Sequence, residues 1–179
     1  ISGMATEIAE DPKRWAAEGS EVISRNAGNL LNLINQILAL SKIESGSMPL
    51  HMVQGDIVSY LGYVVDAFRG HALAKRIKLH FLAEEAEVIM DYDQEKYMTI
   101  LSNLISNAIK FTPEEGNVYV SLVFRDMGED SVFELTVRDT GIGIPPEELE
   151  HIFERFYQAQ NELTGSGIGT GIGLSLVHE

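Results

Sequence analysis

"DQEKYMTILSNLISNAIKFTP", residues Asp93–Pro113, is the stretch from which the fold of this chain is best predicted. Its apolar side chains recur every three or four residues, which is the period of one buried face of an α-helix. These side chains are Tyr97, Ile100, Leu101, Leu104, Ile105 and Ala108. We predict a core helix that begins with a capping box formed by Asp91 and Gln94 and ends at Lys110, before Thr112–Pro113.

A polar stripe runs along another side of the same helix. Asn103, Asn107 and Lys110 lie within about 60° of one another on a helix of 3.6 residues per turn. Asparagine is a poor helix former, so two of them in one helix lower its stability. Spacing alone favours a solvated face. The functional alternative is that an amide oxygen ligates Mg²⁺ while Lys110 neutralises phosphate charge.

A carboxylate introduces the first of two glycine-rich segments, "DTGIGI" (Asp139–Ile144). The preceding "VFELTVRD" alternates as a strand, which predicts that Asp139 faces inward with the apolar residues. An inward carboxylate needs a donor, and the exocyclic amine of adenine is one. Gly141 and Gly143 would let the backbone approach a flat base. The alternative is that Asp-Thr-Gly is a simple turn ending a strand.

The second glycine-rich segment is "GSGIGTGIGLS" (Gly165–Ser175), with alternating glycines at 167, 169, 171 and 173. A helix predicted to begin near Leu174 would point its free N–H groups at phosphate. The glycines fit neither G-x-x-x-x-G-K-[ST] nor G-x-G-x-x-G. A flexible linker is the alternative, but Ile168, Ile172 and Leu174 continue into an apolar helix start.

Between the two glycine segments, Pro146 is predicted to open a helix that runs to about Gln158. Its apolar side chains have core spacing and predict packing: Leu149, Ile152, Phe153, Phe156 and Tyr157. The residues from there to Gly169 have the length and glycine content of a mobile lid, and Arg155 could enter the site as a phosphate-directed cation.

The rest of the chain predicts a helical part followed by an α/β part. A long helix from about Ala16 to Glu44 ends at Ser45–Gly46, and residues 1–11 could end an antiparallel helical partner. "GSMPLHMVQGD" (residues 46–56) reads as a polar connection. The remaining predicted elements are a helix Asp56–Lys75, strands Ile77–Leu82 and Glu87–Asp91, and a hairpin of Val118–Arg125 with Ser131–Arg138.

Composition excludes several classes of function. The 179 residues carry a formal net charge of −14, which opposes binding to nucleic acid or to anionic membrane surfaces. No apolar run approaches the length of a membrane span, so we expect no membrane insertion of this segment. The absence of cysteine excludes disulfides and thiol catalysis.

The order of the motifs resembles a known family. Asn103-x3-Asn107-x2-Lys110, then "DTGIGI", "FERF" and "GTGIGLSLV", is similar to the ATP-binding domain shared by sensor histidine kinases, DNA gyrase B, Hsp90 chaperones and MutL. "NLISNAIKFTP", "IFERFYQ" and "GTGIGLSL" resemble histidine kinases in particular. "RNAGNLLNLINQILALSKIESG" resembles the second helix of their dimerisation and phosphotransfer domain. The lid length is also similar to that of hybrid sensors, which fuse kinase and receiver domains.

The resemblance implies an α/β two-layer sandwich at residues 48–179, preceded by part of a helical hairpin at residues 1–47. It implies that Asn107 ligates Mg²⁺, that Lys110 contacts phosphate and that Asp139 binds the adenine amine of ATP. Catalytic roles would fall to Asn107, Lys110 and Arg155. The implied nucleotide contacts are Asn103, Asn107, Lys110, Asp139, Gly141, Gly143, Phe153, Phe156, Tyr157, Gly167, Gly169, Thr170, Gly171, Ile172, Gly173 and Leu174.

The family's phosphoacceptor, a histidine followed by Glu-x-Arg-Thr-Pro, does not occur in this sequence. Family spacing would put it just before Ile1, so the chain as it stands has no evident residue to phosphorylate. The resemblance implies a homodimer, a response-regulator partner and a cytoplasmic segment of a membrane-anchored bacterial receptor. Two alternatives remain open: a nucleotide-sensing or dimerising module without turnover, and an ATPase of the gyrase or chaperone type.

Overall fold

A computed structural model of the protein describes residues 12–125, 132–158 and 170–178. The chain divides into two compact units, residues 1–48 and 49–179, and each is described by itself. The first is helical where it is described, and the second is an α/β sandwich.

Helix α1 (Pro12–Glu44) has a defined C-terminal end. The N–H of Gly46 donates to Ile43 at 2.9 Å, and the N–H of Ser47 donates to Lys42 at 3.0 Å. These bonds satisfy carbonyls that the helix leaves without donors, and they require the left-handed conformation that Gly46 adopts, with φ of 62°. The helix and its glycine end are therefore confirmed.

Apolar side chains of α1 are exposed in its second half. They are 43% to 60% exposed and comprise Leu30, Leu31, Ile34, Ile37 and Leu38. A helix with such a face is normally covered by a partner. The antiparallel partner predicted at residues 1–11 lies outside the described residues.

The second unit alternates strands and helices. Its elements are β1 (Met52–Asp56), α2 (Ile57–Ala67), α3 (Arg69–Ala74), β2 (Lys78–Ala83), β3 (Ile89–Asp93), α4 (Gln94–Phe111), β4 (Asn117–Arg125), β5 (Val132–Asp139), a 3₁₀ turn (Pro146–Glu148) and α5 (Gly173–His178).

The strands form two sheets. In the larger one the order is β2-β4-β5, with β2 parallel and β5 antiparallel to β4. Val120 of β4 lies opposite Val137 of β5, so the predicted pairing of these strands is confirmed, although their turn lies outside the described residues. The smaller sheet pairs β1 with β3 antiparallel, with Met52 opposite Asp93.

Helices α2 and α4 cover one face of the larger sheet and make the second layer. The largest fully buried side chains in this layer and in β4 are Ile57, Leu61, Val64, Val65, Leu101, Ile105, Ile109, Val118 and Val120. The predicted core face of α4 is buried at Leu101, Ile105 and Ala108 and half-buried at its other positions. The two-layer α/β sandwich is therefore confirmed.

Three sequence-based expectations about the elements are wrong. The "polar connection" contains strand β1, which pairs along β3 although its first residues are exposed. The helix predicted from Asp56 to Lys75 is two helices, because the N–H of Phe68 bonds to Val65, three residues back, and tightens the turn. The strand predicted at Glu87–Asp91 runs from Ile89 to Asp93.

The predicted cap of α4 is wrong by two residues. Asp93, not Asp91, is the N-cap, and its Oδ1 accepts from the N–H of Lys96 at 3.1 Å. Strand pairing with β1 carries β3 on to Asp93 and delays the helix. The other oxygen of the Asp93 carboxylate accepts from the N–H of His51 at 2.8 Å, and these bonds hold its pKa below the usual range.

Candidate functional site

The polar stripe of α4 lies at the border of the core. Asn103, Asn107 and Lys110 are all half-buried, because the neighbouring face of the helix faces the sheet. The amide nitrogen of Asn103 donates to the carbonyl of Thr99, one turn earlier, at 2.9 Å. This bond directs the amide, whose oxygen lies on the side of the second glycine segment. A fully solvated face, which spacing alone favoured, does not describe this stripe.

Lys110 is the cation of the stripe. Its ammonium lies 4.3 Å from the centre of the Phe111 ring, and burial lowers the pKa of Lys110. A half-buried ammonium is poorly hydrated, so an anion beside it would favour the charged form and would gain more than it would from an exposed lysine. This electrostatic setting suits phosphate.

The first glycine segment packs against the end of α4. The N–H of Ile142 donates to the Phe111 carbonyl at 3.3 Å. A methyl group added at Gly141 would lie 2.6 Å from that carbonyl oxygen and 2.6 Å from Oδ1 of Asp139. There is therefore no space for any side chain at Gly141. At Gly143, φ is 71°, which favours glycine for conformational rather than steric reasons.

The expectation that Asp139 is turned into the core is wrong. Its side chain is exposed, although Phe133, Leu135 and Val137 on the same strand are half-buried. Asp139 is the last residue of β5, where the sheet ends and the chain turns. Its Oδ1 accepts from the N–H of Gly141 at 2.8 Å, so a local bond holds the carboxylate at the mouth of the first glycine segment. The carboxylate can thus meet a ligand without being buried.

The second glycine segment is described from Thr170 onward, and its Gly167 and Gly169 lie outside the described residues. Ile172 is fully buried and anchors the segment, while Leu174 is half-buried. The hydroxyl of Thr170 accepts from the N–H of Ile172 at 3.3 Å. These contacts confirm an ordered start for α5 rather than a flexible linker.

The second segment touches the polar stripe directly. A methyl group added at Gly173 would lie 2.8 Å from Oδ1 of Asn103. The asparagine oxygen and the Gly173 backbone are therefore neighbours, although seventy residues separate them in sequence. Helix α4 contacts α5 at this point.

The helix predicted from Pro146 to Gln158 is wrong. Only Pro146–Glu148 forms a short 3₁₀ turn, and the residues after it are turns and bends. At Phe156 the backbone adopts φ of 63°, and its N–H donates to the Gly171 carbonyl at 2.8 Å. This long-range bond replaces the one that an α-helix would make.

The residues of that stretch do not pack as a core stripe. Leu149, Phe153 and Phe156 are 43% to 61% exposed, whereas Ile152 and Tyr157 are half-buried. The expectation of packing is therefore wrong for the exposed side chains.

Polar contacts hold the same stretch. The hydroxyl of Tyr157 donates to Glu148, and this bond raises the pKa of Tyr157 to about 12. His151 bonds to Glu154 at 2.7 Å, and that carboxylate raises the pKa of His151. Arg155 is exposed.

Close backbone packing joins this stretch to the second glycine segment. Gly171 has φ of 68°, and a methyl group there would lie 2.6 Å from the carbonyl carbon of Phe156 and 2.7 Å from the carbonyl oxygen of Tyr157. Glycine is required at this position both by conformation and by space.

Helix α4 thus contacts both glycine segments. Its stripe meets the second glycine segment at Gly173, and its end meets the first at Gly141. The second segment in turn holds Phe156. An amide oxygen, a half-buried ammonium, an exposed carboxylate and closely packed backbone border this region, which is a set of groups that can bind a base and phosphates.

Sequence reasoning missed Phe111 as a site residue. Its carbonyl oxygen is the point at which the first glycine segment rests on α4. A backbone contact between residues thirty apart leaves no local sequence pattern, so no spacing rule would have found it.

Among the described residues, no helix is both long and apolar enough to cross a membrane.

The second unit of the chain is similar to a known family of ATPases. The family model described as "Histidine kinase-, DNA gyrase B-, and HSP90-like ATPase" matches residues 92–179. The hybrid signal transduction histidine kinase D of Dictyostelium discoideum is 35% identical over 160 residues, which are 89% of this chain and 10% of that protein. The chain spans 10% of the length of this relative and 26% of the length of the histidine protein kinase DivJ of Caulobacter vibrioides, which is 37% identical.

Solved structures share the fold. Full-length ShkA in complex with AMPPNP is 29% identical, with a TM-score of 0.73 over 90% of this chain and 33% of that one. ThkA in complex with the response regulator protein TrrA is 20% identical, with a TM-score of 0.65 over 88% of this chain and 46% of that one, which is a likeness of fold. The chain therefore carries an ATPase domain of the histidine kinase family.

Proposed function

We propose that this chain is the Mg²⁺-ATP-binding core of a sensor histidine kinase, which transfers the γ-phosphoryl group of ATP to a histidine and thence to an aspartate of a response regulator. The observation that carries the proposal is that α4 contacts both glycine segments, at Gly141 and at Gly173. In this proposal the adenine-type groups lie at one end of α4 and the phosphate-type groups lie along its stripe. The AMPPNP bound by ShkA, a structural neighbour, supports the same ligand class.

The first glycine segment is proposed as the adenine end. The Asp139 carboxylate accepts from the exocyclic amine, and it is already oriented by the N–H of Gly141. Guanine carries a carbonyl oxygen where adenine carries this amine. That oxygen has no proton to donate to the Asp139 carboxylate, so this hydrogen bond would not form with guanine. Nothing lies within 4 Å of a methyl group added at Gly143, so the backbone there leaves room for the base.

The stripe of α4 is proposed as the phosphate end. Asn107 is the Mg²⁺ ligand, since an amide oxygen suits this cation, which keeps waters and phosphate oxygens as its other ligands. Bound Mg²⁺ would neutralise charge on the phosphates. Lys110 contacts a phosphate oxygen through its half-buried ammonium, and Asn103 fixes the second glycine segment through Gly173. Positioning and charge neutralisation then supply most of the catalysis.

The residues between the two glycine segments are proposed as a gate over the nucleotide. In this gate, Phe153, Phe156 and Tyr157 border the nucleotide, and Arg155 supplies a cation to the phosphates. The bond from Phe156 to Gly171 ties the gate to the phosphate end. Gly167, Gly169, Thr170, Gly171, Ile172 and Leu174 complete the proposed contacts.

Residues 1–47 are proposed as part of the dimerisation and phosphotransfer hairpin, and residues 48–179 as the catalytic domain. The exposed apolar face of α1 supports pairing with a second copy. The phosphoacceptor histidine then lies on the other helix of the hairpin. A response regulator is the proposed acceptor, by analogy with the complex between ThkA and the response regulator protein TrrA. We place the segment in the cytoplasm of a bacterium, as part of a membrane-anchored receptor.

The test uses the longer protein that carries this chain, incubated with Mg²⁺ and ATP labelled at the γ-phosphate. The expected product is an acid-labile, alkali-stable phosphohistidine, which is lost in Asn107→Ala. Phosphate release without labelled protein would contradict the kinase and favour an ATPase of the gyrase or chaperone type. Nucleotide binding with neither product would favour a sensing module.

A further inference from the structure

The C-terminal end of α4 has four carbonyl groups, at residues 108–111, that the helix itself leaves without donors. The Ala108 carbonyl accepts from the N–H of Thr112 at 3.0 Å and from its hydroxyl at 2.6 Å. The Phe111 carbonyl accepts from the N–H of Ile142. The carbonyls of Ile109 and Lys110 remain.

The ammonium of Lys75 satisfies these two. It donates to the carbonyls of Ile109 and Lys110 at 2.8 Å each, and to that of Thr112 at 3.1 Å. An ammonium has three donors, and all three are used. Lys75 belongs to the turn after α3, more than thirty residues from these acceptors, and its charge complements the negative end of the α4 dipole.

The end of α4 that Lys75 holds is also where the proposed site is assembled. The Lys110 side chain leaves from this turn. The Phe111 carbonyl supports Ile142, and the backbone of Gly141 is packed against the same carbonyl with no space to spare. Any shift of this turn would therefore move two groups together. One is Lys110, the cation proposed to contact phosphate, and the other is the Phe111 carbonyl, which supports the backbone that follows Asp139.

We infer that Lys75 is a positioning residue for nucleotide binding. By fixing the last turn of α4, it holds the first glycine segment and Lys110 in the relative positions that nucleotide binding requires. Lys75 does not touch the nucleotide itself. The inference rests on the proposed function, because it concerns the affinity of that same site. It adds a residue from outside the asparagine helix and both glycine segments.

The experiment compares AMPPNP affinity, by calorimetry with Mg²⁺, for the wild-type chain, Lys75→Met and two controls. Lys75→Met keeps the aliphatic stem and removes all three donors. Lys78→Met removes a charge from an exposed lysine nearby. Val64→Ala lowers stability from a fully buried position without removing a bond to the α4 end. The second readout is the ¹H–¹⁵N resonances of Gly141 and Ile142.

Lys75→Met is expected to weaken AMPPNP binding about tenfold, the order of coupling found within one hydrogen-bond network, and to shift both amide resonances. Lys78→Met and folded Val64→Ala are expected to bind within about twofold of wild type, which excludes a general effect of lost stability. Should Lys75→Met not fold, Lys75→Gln, which retains an amide donor, decides by the same readouts. Wild-type affinity with unshifted amides would overturn the inference, whereas a wild-type chain that does not bind AMPPNP would instead overturn the proposed function.

Discussion

Gly141→Ala is the substitution that most directly perturbs the proposed adenine end. The added methyl group would lie 2.6 Å from the Phe111 carbonyl oxygen, whereas ordinary contact begins at 3.4 Å, so a movement of 0.8 Å is needed to restore ordinary contact. The carbonyl is held in the last turn of α4, and the other close atom is Oδ1 of Asp139. Relief of the contact therefore displaces the loop or the carboxylate that is proposed to read adenine.

The expected loss of AMPPNP affinity follows from the size of this steric overlap. Overpacking by a methyl group usually costs about 1–3 kcal/mol. When this whole cost falls on the nucleotide-bound form, AMPPNP affinity is lowered about 5-fold to 150-fold. The assay is calorimetric titration of AMPPNP into the folded variant. Gly70→Ala is the matched control, since nothing lies within 4 Å of its added methyl group in α3. AMPPNP binding by Gly141→Ala within twofold of wild type would refute the reasoning.

Three further outcomes are expected. In Gly171→Ala, alanine would adopt a left-handed backbone, which is unfavourable by about 1–2 kcal/mol, and its methyl group would clash with Phe156. Hydrogen exchange of the Phe156 amide should therefore accelerate, and unchanged exchange would contradict the packing. Because folding lowers the pKa of Asp93, its contribution to stability is present above the ordinary value of 3.8 and is lost as the pH falls through the lower folded value. The urea midpoint of Asp93→Asn should therefore lie below wild type at pH 7 and approach it in acid, and a difference that does not change with pH would contradict the role of this carboxylate. In the proposed dimer the exposed face of α1 forms the interface, so Leu38→Asp should lower the mass measured by light scattering from dimer to monomer, and a retained dimer would remove α1 from the interface.

The parts of the fold that the sequence predicted well are those in which a repeating pattern and the buried face coincide. Helix α4 has its apolar period and its core side chains in agreement, and the pairing of β4 with β5 follows their alternation. The end of α1 was predictable because Gly46 can adopt a left-handed conformation that few other residues tolerate.

The errors arose where a distant contact decided the local structure. The stretch after Pro146 has helical spacing, but the bond between Phe156 and Gly171 diverts its backbone. Strand β1 has little apolar alternation and exists because β3 pairs with it. That same pairing moved the cap of α4 to Asp93.

The candidate site was predictable as a set of residue types and not as an assembly. Asparagine spacing and glycine content indicated Asn103 and Gly173, but only the fold puts them side by side. The exposure of Asp139 and the bonds of Lys75 depend on where β5 ends and where the turn after α3 lies. Neither is encoded by spacing along the chain.

Adenine selectivity at this site tests the central claim most directly. The 179-residue chain is titrated with AMPPNP and, in parallel, with its guanine analogue, each with Mg²⁺ and with EDTA. We predict saturable AMPPNP binding that tightens with Mg²⁺, and guanine-analogue binding at least about tenfold weaker because Asp139 would face a carbonyl. Equal affinity for the two nucleotides, or no AMPPNP binding at all, would contradict the account.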